Sequence, residues 1–223
     1  MSNNNKKYII FDCGGVLAND MQYTFATQYV QDNMPSKMDV FNKSLKTHWS
    51  RIRIDANYTD RQFWQDVAHD IGLTMDDQLL DSFVQQTRQE LHSNPPSLQY
   101  VNTLRESGTS MFILSNHGKD WFNYIRDSDP MFLKAFPDTE RLIVSYMVDS
   151  YKPQQEIFQK CWEHILLLEV ARPLNKSQFI FIDDKLANVH AAQQFGYNAA
   201  QFNYAESPIT TLSNVIDQFL NSP

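Results

Sequence analysis

Asp12 ends the apolar run Tyr8-Ile9-Ile10-Phe11 and opens a turn in which Gly14 and Gly15 put no side chain in a ligand's way. Ser115 and Asn116 follow Met111-Phe112-Ile113-Leu114, and Asp183 and Asp184 follow Phe179-Ile180-Phe181-Ile182, with Asn188 one turn further on. Lys152 stands directly ahead of Pro153 and a helical stretch. An acid at the rim of a sheet is a place to do chemistry. A hydroxyl and backbone N–H groups at a helix entry favour an anion, and a lysine adds positive charge. Each residue also has an ordinary alternative. Asp12 suits an acid-glycine turn, Ser115, Asn116 and Asp184 suit helix N-caps, and Lys152 suits a solvated surface. Their joint order at strand ends favours a site, because ligands of open parallel sheets sit beyond the carboxyl ends of the strands.

The elements that must position these residues can be read from periodicity. Strand character marks residues 8–11, 111–114, 179–182 and 199–202, and more weakly 142–144. Helical character marks residues 119–126, 153–168, 185–195 and 209–220. The strongest of these helices carries Ile157, Phe158, Cys161, Trp162 and Ile165 on one stripe, where Trp162 reads as core. Strands alternating with helices predict an α/β fold with a parallel, doubly wound sheet.

Between the first strand and the rest, residues 21–91 show only helical texture. Helices are expected over 23–30 and 40–52, then one opened by Thr59-Asp60 and one after Thr74. Phe63, Trp64, Val67, Ala68 and Ile71 share one face of the third, and Leu79, Leu80, Phe83 and Val84 one face of the fourth. Asn94-Pro95-Pro96 breaks the pattern, since proline has no N–H for a helix ladder and restricts its predecessor. The expected division is an α/β core over residues 1–17 and 96–223 with a helical insertion over 18–95.

Composition narrows the function classes. A 42% hydrophobic chain of this length can bury a sizeable core. A formal net charge of −7 argues against nucleic acid and anionic membrane as partners, though not against a small anion held by local donors. Cys13 and Cys161 are too few for a disulfide framework, which suggests a reducing compartment. Residues 1–7 are polar and lead straight into a strand, with no secretory segment, and no run is long enough to span a bilayer. A cytoplasmic location is expected. Oligomeric state is left open.

The four segments together resemble the haloacid dehalogenase (HAD) superfamily of hydrolases, and the resemblance covers the whole chain. Asp12 matches the nucleophile of the first family motif, Ser115 the second, Lys152 the third, and the pair Asp183-Asp184 the fourth. It implies a Rossmann-like three-layer core and makes the helical insertion a cap. Phe63-Trp64 and Lys152-Pro153 with Ile157-Phe158 look like the branch acting on sugar phosphates. The implied reaction is Mg²⁺-dependent hydrolysis of a small phosphorylated metabolite through an aspartyl-phosphate. Oxygen ligands suit that ion. By resemblance, Asp12, the Gly14 carbonyl and Asp184 would hold the metal, with Asp183 nearer the outer shell. Ser115, Asn116 and Lys152 would hold the phosphoryl group, and Asp12 and Lys152 would be catalytic.

The chain departs from the family at Gly14, where most phosphatases carry a second aspartate that protonates the leaving oxygen. General acid–base help is typically worth ~10²–10⁴-fold. Relatives in the sugar-phosphate branch share this glycine, and an ester with a good leaving group needs less help. Asp20 and His117 are candidate substitutes, although each reads first as a turn or loop residue. A carbon–halogen hydrolase also dispenses with this aspartate, but works without metal, which the acidic pair argues against. A binding or regulatory protein that has lost turnover is the other alternative, and a phosphomutase fits less well. Phe63 and Trp64 read as packing, Cys13 as a small filler, and His190 as structural.

Overall fold

Unbroken apolar strands are what a sheet covered on both faces demands, and the central strands meet that demand. The computed structural model describes residues 6–170 and 173–222. The reading of residues 1–5 as polar and without a secretory segment therefore lies outside the described residues. Strands β1 (Tyr8–Phe11), β2 (Ser110–Ser115), β3 (Leu142–Val144), β4 (Phe179–Asp183) and β5 (Asn198–Gln201) form one parallel sheet in the order β3-β2-β1-β4-β5. Every residue of β1, β3 and β4 is buried, whereas the edge strand β5 is half-exposed. Phe11 registers with Ile113 on one side and Ile182 on the other, so the strand-end polar residues emerge along one rim.

Eleven helices surround or adjoin the sheet among the described residues: α1 (Thr24–Asn33), α2 (Met38–Ile52), α3 (Asp60–Ile71), α4 (Asp77–Glu90), α5 (Pro95–Glu106), α6 (Lys119–Ser128), α7 (Pro130–Ala135), α8 (Ser145–Val148), α9 (Gln155–Leu168), α10 (Leu186–Phe195) and α11 (Ile209–Asn221). Alternate strand residues point to opposite faces. Tyr8, Ile10, Phe112, Leu114, Phe179 and Phe181 pack against α9 and α10 through Ile157, Phe158, Cys161 and Ala192. Ile9, Phe11, Ile113, Ile180 and Ile182 share a larger core with α5, α6, α7 and α11. The expected Rossmann-like three-layer α/β architecture is present.

Helices α1 to α4 intervene between β1 and α5, and local chemistry sets their ends. Thr59 and Gln62 form a capping box at the start of α3, which ends at left-handed Gly72. Asp76 caps α4 by accepting from the Leu79 N–H. No side chain of its own caps α1. Instead Glu90, at the far end of α4, accepts from the Thr24 and Phe25 N–H groups at 2.8 and 2.7 Å. Phe63 and Trp64 are fully buried in an aromatic cluster with Tyr23 and Trp121, so they pack as expected.

Three helices escaped the sequence. Residues 94–96 begin α5 as well as ending the preceding helical texture: Asn94 caps Ser97 N–H at 2.9 Å, and proline at the first turn loses nothing there because that N–H has no partner to find. The same logic starts α7 at Pro130 behind Asp129. The third, α8, is a single turn. Conversely, Pro153 does not initiate α9, which starts at Gln155 after a turn closed by Gln154 N–H to Tyr151 O at 3.0 Å.

Candidate active site

Asp12 emerges from β1 with its backbone N–H bonded to Ile182 O at 2.8 Å, and its own Oδ1 accepts from Cys13 N–H at 2.7 Å. Lys152 reaches it from the loop before α9. The Nζ of this lysine lies 2.8 Å from Asp12 Oδ1 and donates to Asp183 Oδ2 at 2.6 Å, with the whole side chain out of solvent. Asn116 fixes the lysine's backbone: its Oδ1 accepts from Lys152 N–H and its Nδ2 donates to Lys152 O, both at 2.9 Å. The Asn116 side chain, expected to bind phosphate, thus serves as a clamp on the lysine loop. Ser115 ends β2, and its buried hydroxyl has no protein partner among the described residues.

The two acids after β4 sit in opposite surroundings. Asp183 is saturated: Asn188 donates to both its oxygens at 2.9 and 3.1 Å, Lys185 N–H to Oδ1 at 2.8 Å, and Lys152 to Oδ2. Asp184 has a buried Oδ1 with no partner among the described residues. Oxygens of Asp12, Asp183 and Asp184 all lie within 4.8 Å of one another. Gly15 makes room for this approach. It has a φ of 71°, and a Cβ there would come within 2.5 Å of Asp184 Cγ.

One buried ammonium does not neutralise three carboxylates, and proton affinities record the deficit. Burial would lower the Lys152 pKa, but Asp12 and Asp183 hold it above the ordinary lysine value. Burial would raise that of Asp183, yet Lys152, Lys185 N–H and Asn188 pull it below the carboxylate range. Burial pushes Asp12 up to about 8, with the Asp183 charge adding to it against Lys152. Burial likewise pushes Asp184 up to about 6, with Asp20 and Asp183 adding. Excess negative charge at clustered oxygens, one of them orphaned, fits a hard divalent cation. Asp12, the Gly14 carbonyl and Asp184 are the groups available to hold it, and Asp183 is committed to protein donors.

A cavity of about 770 Å³ opens above this floor, lined by Asp12, Gly14, Lys152 and Asn188 below and by a stripe of α2 above. That stripe is Asn42, Leu45, Lys46 and Trp49, with Arg53 just past the helix end. Arg53 stacks its guanidinium 3.6 Å from the centre of the Tyr151 ring, and its carbonyl accepts from the Ser145 hydroxyl. These wall residues carried no sequence signal beyond helical periodicity. Lys185, at the start of the helical stretch 185–195, directly follows the acidic pair. It lines the cavity and lies 3.2 Å from Asp20 Oδ2 and 3.9 Å from Asp184 Oδ2. His117 also lines the cavity, where burial lowers its pKa to about 4 and leaves it neutral at pH 7. Cys13 is buried with its thiol pushed up by that burial, consistent with a filler.

No family model matches this chain, and no curated protein does. Solved structures do. A HAD-family enzyme from Bacteroides thetaiotaomicron matches with a TM-score of 0.69 at 21% identity, over 93% of this chain and 98% of that one. The same enzyme in complex with magnesium and inorganic phosphate matches at 0.66 and 21%, over 88% and 93%. A HAD-like hydrolase from Porphyromonas gingivalis matches at 0.64 and 18%, over 95% and 98%. L-2-haloacid dehalogenase from Xanthobacter autotrophicus matches at 0.54 and 18%, over 88% and 77%. The chain therefore shares its fold with these structures.

Proposed function

We propose that this protein is a Mg²⁺-dependent phosphatase that hydrolyses a small phosphate monoester, sugar phosphates included, through an aspartyl-phosphate on Asp12. The observation that carries this reading is the three-carboxylate cluster with the orphaned Asp184 oxygen, a cation-holding arrangement beside a buried lysine. The magnesium and phosphate complex of the Bacteroides enzyme points the same way.

On this reading Asp12, which lines the cavity, attacks phosphorus with the carboxylate oxygen that Lys152 and the Cys13 N–H leave free. Lys152 holds a phosphoryl oxygen and opposes the burial that raises the Asp12 pKa. Ser115 donates its unpaired hydroxyl to the phosphoryl group, and Asn116 acts indirectly by holding the lysine loop. Asp183 anchors Lys152. The metal, when bound, neutralises charge on nucleophile and phosphoryl group so that two anions can meet. Helices α1 to α4 serve as the cap that closes over the substrate and excludes water.

A second reading rests on Gly14, the glycine where most phosphatases of the family carry an acid: a carbon–halogen hydrolase, whose halide leaves without a proton. One experiment separates the two. A panel of phosphate esters and short haloacids is assayed with Mg²⁺ and with chelator. Phosphate release that chelation and Asp12→Asn both abolish supports the phosphatase. Halide release indifferent to chelator establishes the alternative.

A further inference from the structure

The glycine at position 14 is matched by a carboxylate that occupies its missing side chain's place. A Cβ built on Gly14 would lie 2.5 Å from Asp20 Oδ1, closer than real contacts allow, so the Asp20 side chain fills the volume a residue-14 side chain would need. Asp20 lines the same cavity as Asp12.

The chain holds Asp20 there by design of the turn. Leu17 and Ala18 N–H groups bond back to Cys13 O at 2.8 and 2.9 Å, and Gly15 N–H reaches Ala18 O at 2.7 Å. This tight loop folds residue 20 over residue 14. The segment returning from the insertion then locks it, through an isolated antiparallel bridge between Ala18 and Ser93. Asn19 exchanges bonds with His92, N–H to O at 3.0 Å and Oδ1 from N–H at 2.8 Å, and Asn19 Nδ2 donates to Glu90 O at 2.8 Å. Asn94 N–H bonds Leu17 O at 2.7 Å. Lys185 Nζ, 3.2 Å from Asp20 Oδ2, fixes one oxygen and leaves Oδ1 toward Gly14.

We propose that Asp20 is the general acid and base of this site, delivered from six residues downstream to the position that Gly14 leaves vacant. This rests on Asp12 as the phosphate-accepting nucleophile. In the first step, with Asp20 entering the cycle as the protonated acid, an Asp12 oxygen forms a bond to phosphorus, the ester P–O bond breaks, and the leaving oxygen takes the Asp20 proton. In the second, water attacks phosphorus and gives a proton to the Asp20 carboxylate as the Asp12–phosphorus bond breaks. Inorganic phosphate leaves, and both acids return to their starting forms. The site then handles alkyl phosphates with poor leaving groups as well as activated esters.

The test compares wild type with Asp20→Asn on nitrophenyl phosphate, whose leaving group needs no proton, and on glycerol phosphate, whose leaving group does. The alkyl-to-aryl ratio of kcat/KM falls by ~10²-fold or more in the variant, the scale of lost acid catalysis. The variant also accumulates phosphorylated protein during nitrophenyl phosphate turnover, seen by intact mass, because water is no longer activated. Gly14→Asp placed on Asp20→Ala, where the clash is gone, recovers alkyl turnover relative to Asp20→Ala alone. Thermal unfolding confirms that each variant is folded. An unchanged ratio with no phosphoprotein would overturn the assignment and leave Asp20 as a partner for Lys185 only, with the phosphatase reading intact. Wild-type protein that turns over neither ester and takes no phosphoryl group overturns both.

Discussion

On the floor of the cavity Lys152 is wholly buried and both oxygens of Asp183 are bonded to protein donors, whereas on the α2 wall Asn42 and Lys46 stand in solvent. The floor comes from strand ends of one sheet, where a shift of any group disturbs its neighbours. The wall is one stripe of a helix whose other side is held by buried Phe41, Ser44 and Ile52, with Ser145 donating to the Arg53 carbonyl just past its end. On the proposed function the floor carries the reaction groups and the wall the groups that set selectivity, and the floor is the more tightly bonded of the two. The sharpest way to break this division is to unpair the floor. Lys152→Met leaves Asp12 and Asp183 buried without their cation, and removing one member of a buried pair costs about 3–5 kcal/mol. Chemical denaturation should show that loss and turnover should vanish. A variant as stable as wild type would mean the floor is not held by charge.

Asp12→Asn acts on the same floor with the opposite sign for stability. The folded pKa of Asp12 is raised from 3.8 to about 8, so the folded state favours the protonated acid. Its stabilising contribution is complete below about pH 4 and is lost as pH rises through about 8. Asparagine mimics the protonated form at every pH. In the metal-free protein Asp12→Asn should therefore unfold at a higher temperature than wild type at pH 8 and at nearly the same temperature at pH 4, although the proposed function has it lose all turnover. Equal midpoints at pH 8 would show that Lys152 already satisfies Asp12.

Mg²⁺ binding provides a subtler test within the floor, because the cation must displace protons from Asp12 and Asp184. With Asp184 raised to about 6 and Asp12 to about 8, affinity should tighten as pH climbs from 6 to 8, and binding should release protons. Calorimetry in buffers of different ionisation enthalpy measures that release directly. Both Asp183 oxygens are already bonded to protein donors, so Asp183→Asn should disturb Lys152 more than it disturbs the proton count.

The same division explains what the sequence made legible. Floor residues sit at the ends of apolar strands, and a run such as Phe179–Asp183 announces both the strand and its terminal acid. The Asn116 clamp was unreadable because it depends on a loop 36 residues away meeting the end of β2. Asp20 was legible only as one of two candidate substitutes beside His117, because its place next to Gly14 is fixed by residues 90–94, across the whole helical insertion. The start of α5 was missed for a local reason: two prolines read as a break serve equally well as a first turn. Wall residues such as Trp49 and Arg53 lie on or just past a helix that was correctly expected, but periodicity does not say which face meets a substrate.

Trp49 offers the smallest effect and the finest probe of the wall. Its ring stacks on Trp121, centroids 6.0 Å apart at 17°, while one side lines the cavity. Trp121 is fully buried and belongs to the aromatic cluster that joins α3 to α6. Trp49→Ala removes that stacking pair, worth about 1 kcal/mol, so unfolding should shift only slightly. If the wall sets selectivity, the variant should raise KM for the preferred ester by roughly fivefold, the equivalent of 1 kcal/mol of ground-state binding, with kcat nearly unchanged. The change should be uneven across a substrate panel, largest for esters whose organic part is bulky enough to reach α2. A uniform fall in kcat instead would mean that Trp49 positions the floor through Trp121, and the separation between reaction groups and selectivity groups would not hold.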